Sequence, residues 1–70
     1  MPRLKVNGRE EHYPDPDFPP TAAALLARYG LDERQIVVEV DGAVVPRGSA
    51  GSFNLRDGQT IELVRFVGGG

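Results

Sequence analysis

The chain contains no cysteine. That excludes a disulfide staple and a thiolate metal site, and it fits a reducing compartment such as the cytoplasm. Positive charge is also thin. Eight Lys and Arg stand against ten Asp and Glu, for a formal net charge of −2. The basic residues are scattered, which argues against non-specific nucleic-acid binding and against a polybasic membrane contact. No apolar run approaches a transmembrane span, and Met1-Pro2-Arg3-Leu4-Lys5-Val6 lacks the apolar stretch of a secretory signal. The expectation is a soluble cytoplasmic protein. Length is limiting too: 70 residues make one small domain. A domain of this size buries only about 60% of the surface its unfolded chain exposes. There are no internal repeats and no inter-domain linker.

Catalytic side chains are equally sparse. His12 is the sole histidine and sits beside Tyr13 in a weakly apolar stretch, where a solvated side chain is expected. Asp15 and Asp17 flank Pro16, but acid–base work by paired carboxylates needs a pocket that raises one pKa. Glu10-Glu11 reads as solvated. The glycines at 48 and 51 are followed by Phe53 and Asn54, not by a helical pattern, so no phosphate-cradling loop opens a helix. Ser49 and Ser52 have no base nearby in sequence. A chain this short also has little room for a small-molecule pocket. The reading is of a protein with no catalytic residues and no metal site.

What is present is a regular alternation of short elements. Leu4 and Val6 alternate with polar neighbours, a strand with one buried face. Asn7-Gly8 is a tight-turn pair, and Arg9 to Tyr13 is its return strand at a sheet edge. Pro14 to Pro20 carries four prolines and reads as a connecting loop with Phe18 turned inward. Thr21 is positioned to cap a helix over Ala22 to Tyr29, whose stripe is Ala22, Leu25, Leu26 and Tyr29. Gly30 ends it. Ile36 to Val40 is a β-branched strand with Ile36, Val38 and Val40 facing the core, and Val37 and Glu39 facing out. Asp41-Gly42 turns the chain into a short return strand, Ala43 to Val45, stopped by Pro46. Arg47 to Phe53 reads as a surface loop. Asp57-Gly58 launches a last strand at Gln59 or Thr60. Two hairpins flanking one helix, with first and last strands parallel in the middle, give the α+β β-grasp arrangement. It is a mixed sheet of about five strands packed on one helix.

The last strand runs directly into Gly68-Gly69-Gly70. Glycine-rich ends also occur as inert extensions. Here, however, no His run or Ser-Gly alternation accompanies the glycines, and no spacer separates them from the strand. The division expected is a domain over residues 1–67 and a flexible tail over 68–70. Three extended glycines reach about 10 Å. Lacking Cβ atoms, they can thread a narrow channel and deliver the Gly70 carboxylate to a reaction centre. A carboxylate must be activated, for example as an acyl-phosphate anhydride, before a nucleophile can displace a leaving group. Within the strand, Ile61 and Leu63 are expected to face the core. Glu62, Val64 and Phe66 are then outward, and Val64 and Phe66 form a small apolar docking patch with Val37. The alternative is that Phe66 folds back over the sheet edge.

Several segments together carry a family resemblance: Val6-Asn7-Gly8, Ala24-Leu25-Leu26, Val38-Glu39-Val40-Asp41-Gly42 and Val44-Val45-Pro46-Arg47. So do Leu55-Arg56-Asp57-Gly58-Gln59-Thr60-Ile61-Glu62-Leu63-Val64 and Phe66-Val67-Gly68-Gly69-Gly70. Across essentially its whole length the chain resembles the ThiS sulfur carriers of bacterial thiamine biosynthesis, which are ubiquitin-like β-grasp proteins. The Pro14 to Pro20 loop departs from that pattern. The resemblance implies a co-substrate and not an enzyme. It implies no bound cofactor, with ATP used by an adenylating, ThiF-like partner on the Gly70 carboxylate. A sulfur donor fed by a cysteine desulfurase makes the thiocarboxylate, and a ThiG-like thiazole synthase takes the sulfur. Gly68 and Gly69 would thread the partner sites, and Val64, Phe66 and Val37 would dock. The alternatives are a carrier for molybdopterin or tRNA thiolation, a ubiquitin-like protein modifier, and a non-catalytic binding module.

Overall fold

Three turns built on Asn7-Gly8, Asp41-Gly42 and Asp57-Gly58 set the frame of the fold. In the first two, both residues take positive φ (50° and 82°, 51° and 86°), the twist that lets a two-residue loop close a hairpin. The computed structural model describes residues 1–65. Its strands are β1 (Arg3–Val6), β2 (Arg9–His12), β3 (Ile36–Val40), β4 (Ala43–Val44) and β5 (Thr60–Arg65), with one helix, α1 (Ala22–Arg28). Short 3-10 turns lie at Asp15–Asp17, Glu33–Gln35 and Ala50–Ser52. The sheet order is β2-β1-β5-β3-β4, with β1 and β5 parallel and every other pair antiparallel. This is the expected β-grasp arrangement. No helix among the described residues is long and apolar enough to cross a membrane. Phe66 and the glycine tail lie outside the described residues.

One face of the sheet packs on α1. Leu4, Val6, Ile36, Val38, Val40 and Ile61 share a core with Ala22, Leu25 and Leu26. The Thr21 hydroxyl accepts from the Ala24 amide at 3.1 Å, as a cap should. The helix ends in a double bond pattern, Leu31 N–H to the Leu26 carbonyl and Gly30 N–H to the Ala27 carbonyl, with Gly30 left-handed. Tyr29 thereby becomes the helix cap at ψ 1° and is 44% exposed, outside the apolar stripe expected of it.

The loops differ most from the sequence reading. β2 ends at His12, one residue early, although Tyr13 N–H still donates to the Pro2 carbonyl and its ring is buried in the core. Its ring meets Phe18 edge-on at 5.7 Å, and the Arg28 guanidinium lies over it at 5.0 Å. Inside the proline loop Pro19 is fully buried. The Pro20 carbonyl accepts from Leu55 N–H, and Ala22 N–H donates to the Phe53 carbonyl. β4 stops at Val44, with Val45 buried. The stretch from Arg47 to Phe53 is more than a surface loop. The Glu33 carboxylate accepts from the amides of Gly48 (2.9 Å) and Ala50 (3.4 Å), and Ala50 packs in the core cluster with α1.

The β1–β5 ladder is bracketed by side chains. Asp57 Oδ1 accepts from Arg3 N–H at 2.8 Å at its start. Lys5 N–H donates to the Gln59 carbonyl and Asn7 N–H to the Ile61 carbonyl. Where β1 turns away, Asn7 Oδ1 takes the next rung, accepting from Leu63 N–H at 2.7 Å.

Two expectations follow. Burial, with Tyr29 and Glu11 adding to it and Arg28 opposing, pushes the Tyr13 phenol from 10.0 to about 12. The unfolded chain releases that proton near pH 10 while the folded chain keeps it. Stability on this account is intact below about pH 10 and falls as pH rises towards about 12. Urea midpoints compared at about pH 9 and about pH 11 should show a steeper loss for wild type than for Tyr13→Phe. Asn7→Gly keeps the left-handed backbone but removes the acceptor for Leu63. It should cost about 1 kcal/mol or somewhat more and speed amide exchange at Leu63 selectively; unchanged protection there contradicts the bracket.

Candidate functional site

The strand that leads to the C-terminal glycines is the central one. β5 is flanked by β1 and β3 over its first half; beyond Leu63 only β3 remains alongside, with Val37 opposite Val64 and Ile36 opposite Arg65. The strand's alternation separates two tasks. Ile61 is fully buried and Leu63 half-buried against the core, while Thr60, Glu62 and Val64 lie on the face away from α1. Val64 is 50% exposed and Val37 half-buried, and the two are direct cross-strand partners. The strand therefore carries an anchoring face and an outward apolar pair, as read from sequence. Phe66, the third member of the expected patch, lies outside the described residues, as do Gly68, Gly69 and Gly70.

The open face contains more than valines. One rung from the Val37–Val64 pair, Glu39 stands opposite Glu62, and on its other side Glu39 stands opposite Val44, which is 58% exposed. The sequence placed Glu39 and Glu62 outward but could not place them opposite one another. Only the β3–β5 register does that, and neither strand alone encodes it. Asn7, in the clamp on β5, escaped notice for a similar reason, since its turn role masked its side-chain role.

Several other polar groups are placed locally. Glu10 pairs with Arg3 at 3.3 Å and lies 3.8 Å from His12, all half-exposed. Asp15 and Asp17 sit exposed in a 3-10 turn. The Arg34 guanidinium and amide hold the Asp32 carboxyl below the usual carboxylate range, in a solvent-exposed turn that starts β3. Among the described residues no three His, Asp or Glu side chains converge as a metal site would require. The depression between Val37, Val44 and Pro46 has a volume of about 140 Å³, and a second, between Asn7, Arg9, Tyr29 and Leu63, about 310 Å³, the one below and the other at the low end of the range of ordinary ligand cavities. What this arrangement does is fix β5 at the centre of the sheet, with an apolar pair on its open face.

Comparison with known proteins also covers the residues beyond the strand. The ThiS family model matches residues 4–70, tail included. A crystal structure of the thiamine biosynthesis protein ThiS from Geobacter metallireducens superposes with a TM-score of 0.79 at 28% identity, covering 97% of this chain and 99% of that one. A thiazole synthase of Paramagnetospirillum magneticum is 35% identical over 68 residues, which are 97% of this chain and 20% of that protein. A thiazole synthase of Magnetococcus marinus is 40% identical over 50 residues, 71% of this chain and 15% of that protein. This chain thus spans a fifth or less of the length of those two relatives. The central mounted strand, the β-grasp sheet and the match running through Gly70 lead to one conclusion: the chain belongs to the ThiS family, the ubiquitin-like sulfur carriers of thiamine biosynthesis.

Proposed function

We propose that this chain is a protein co-substrate whose Gly70 carboxylate carries sulfur to the thiazole of thiamine. The observation that carries the proposal is the family match through the terminal glycines. In the cycle, a carboxylate oxygen of Gly70 attacks the α-phosphate of ATP on a ThiF-like adenylating enzyme, and pyrophosphate leaves. A persulfide supplied through a cysteine desulfurase then attacks the acyl-adenylate and AMP leaves, and a thiol cleaves the resulting acyl disulfide, leaving as a disulfide with the donor sulfur and freeing the thiocarboxylate. The resulting thiocarboxylate gives its sulfur to a ThiG-like thiazole synthase, and the carboxylate is restored. Gly68 and Gly69 pass through the partner sites, while Val37, Val64 and Phe66 dock. Activation as the adenylate is needed because a free carboxylate has no adequate leaving group. The chain supplies positioning, and the partner enzymes supply catalysis. The two long relatives named thiazole synthases support the choice of acceptor, because in them a segment like this one shares a chain with the rest of the protein. Dependence on ATP and on a reducing sulfur source places the cycle in the cytoplasm.

Incubation with ATP, the adenylating enzyme and a sulfur donor should shift the intact mass by one oxygen-to-sulfur exchange, located on the C-terminal peptide. Deleting Gly70 should leave the melting transition unchanged and abolish the exchange. A truncated chain that still supports thiazole formation would rule the proposal out.

A further inference from the structure

We infer that the open face of the sheet is a docking surface for a partner that inserts a basic side chain between Glu39 and Glu62, with aliphatic groups against Val37, Val64 and Val44. This rests on the carrier reading and names the chemistry of its first encounter, with the adenylating enzyme.

The argument begins with a cost. Glu39 and Glu62 are directly opposed across β3 and β5, and like charges in that relation destabilise a sheet. Among the described residues neither is in a salt bridge with a cation. Lys5, outward on β1 opposite Thr60, makes no ion pair with either. Arg3 is engaged by Glu10. Asp41 adds a third carboxylate at the end of the face, where it accepts from Thr60 N–H. Aliphatic surface adjoins the pair on two sides, Val37–Val64 one rung along and Val44 beyond Glu39. A partner that fits must therefore present positive charge with apolar surroundings. A guanidinium suits this best, because its planar fork can bond two carboxylates while its faces stay weakly hydrated.

The same charge logic selects the adenylating enzyme. It must bring a carboxylate to the phosphates of ATP, two anions at one site, so the approach to that site has to be positively charged. Glu62 and Val64 lie on the strand that leads to the reacting carboxylate, so an extended basic surface meets this face and the tail together.

The test uses the full chain in the ATP-dependent conversion, read by intact mass at varied carrier concentration and two salt concentrations. Glu39→Gln with Glu62→Gln keeps shape and removes both charges. The double variant should raise the KM for the carrier about tenfold or more and flatten its salt dependence, with kcat at saturating carrier held. Its melting temperature should match or exceed that of wild type. Glu62→Gln alone, at an exposed position, should give part of the KM effect and serves where the double variant is altered in fold. An unchanged KM and salt slope overturn the inference while the carrier function stands. A KM that rises only with thiazole synthase overturns the assignment to the adenylating enzyme. If wild type is never converted, the carrier reading fails and this inference with it.

Discussion

The parallel pairing of β1 with β5 is the constraint on which the rest depends. It joins the two ends of the described chain: the clamp from Asn7 to Leu63 spans 56 residues. Contacts this distant in sequence require much chain to be closed before they form, so they are late and cooperative. The return is a central position for the strand that carries the tail. Flanked on both sides over its first half, and bonded by the Asn7 side chain at Leu63, β5 has no free edge until that residue. The side chains of Asp57 and Asn7 cap the ladder where the neighbouring backbone has turned away. A tail mounted on an edge strand would start from a support that frays; mounted here it starts from one fixed to the core.

That core is built from scarce material. A seven-residue helix is too short to be stable alone. It is held by its Thr21 cap, its double C-terminal bond and the burial of Ala22, Leu25 and Leu26. The connections make up the shortfall. Pro19, Val45, Ala50 and Leu55 all lie outside the main strands and helix, and all are buried. Glu33 draws one connection inward through the amides of Gly48 and Ala50. Backbone pairing of Pro20 and Ala22 with Leu55 and Phe53 draws in another. In a domain with so little interior, loops that read as surface by composition are recruited to close it.

This explains which features were legible in the sequence. Alternation in Ile36 to Val40 and in Thr60 to Val64 gave the facing of each residue, because the period of a strand is a local property. The turns were legible because Asn-Gly and Asp-Gly tolerate the left-handed conformations required. Tyr29 misled because helical phase holds only while helical dihedrals last, and the chain leaves them at that residue. Within the largely exposed stretch from Arg47 to Phe53, the burial of Ala50 was not legible because the fold there is tied to Glu33, fifteen residues before Gly48. The opposition of Glu39 and Glu62 was invisible for a stronger reason. It is a property of register between two strands, and nothing within either one states it.

On the proposed cycle, the open face has a task that a wholly apolar surface would perform badly. The same tail must be delivered to one enzyme, released, and delivered to another. An extended hydrophobic face would hold its first partner by burial and favour self-association when free. Carboxylates set among valines behave differently. In the free chain they repel one another and keep the face hydrated. Against a partner of matching charge they speed encounter through steering. With a neutral or acidic surface they add a penalty. Exchange between partners is then governed by charge, which acts at a distance and weakens with salt, while the valines add short-range grip only when surfaces meet. The strand's inward residues confer stability and its outward residues confer selectivity. The reacting carboxylate, having neither task, can be left at the end of a chain with no side chains at all.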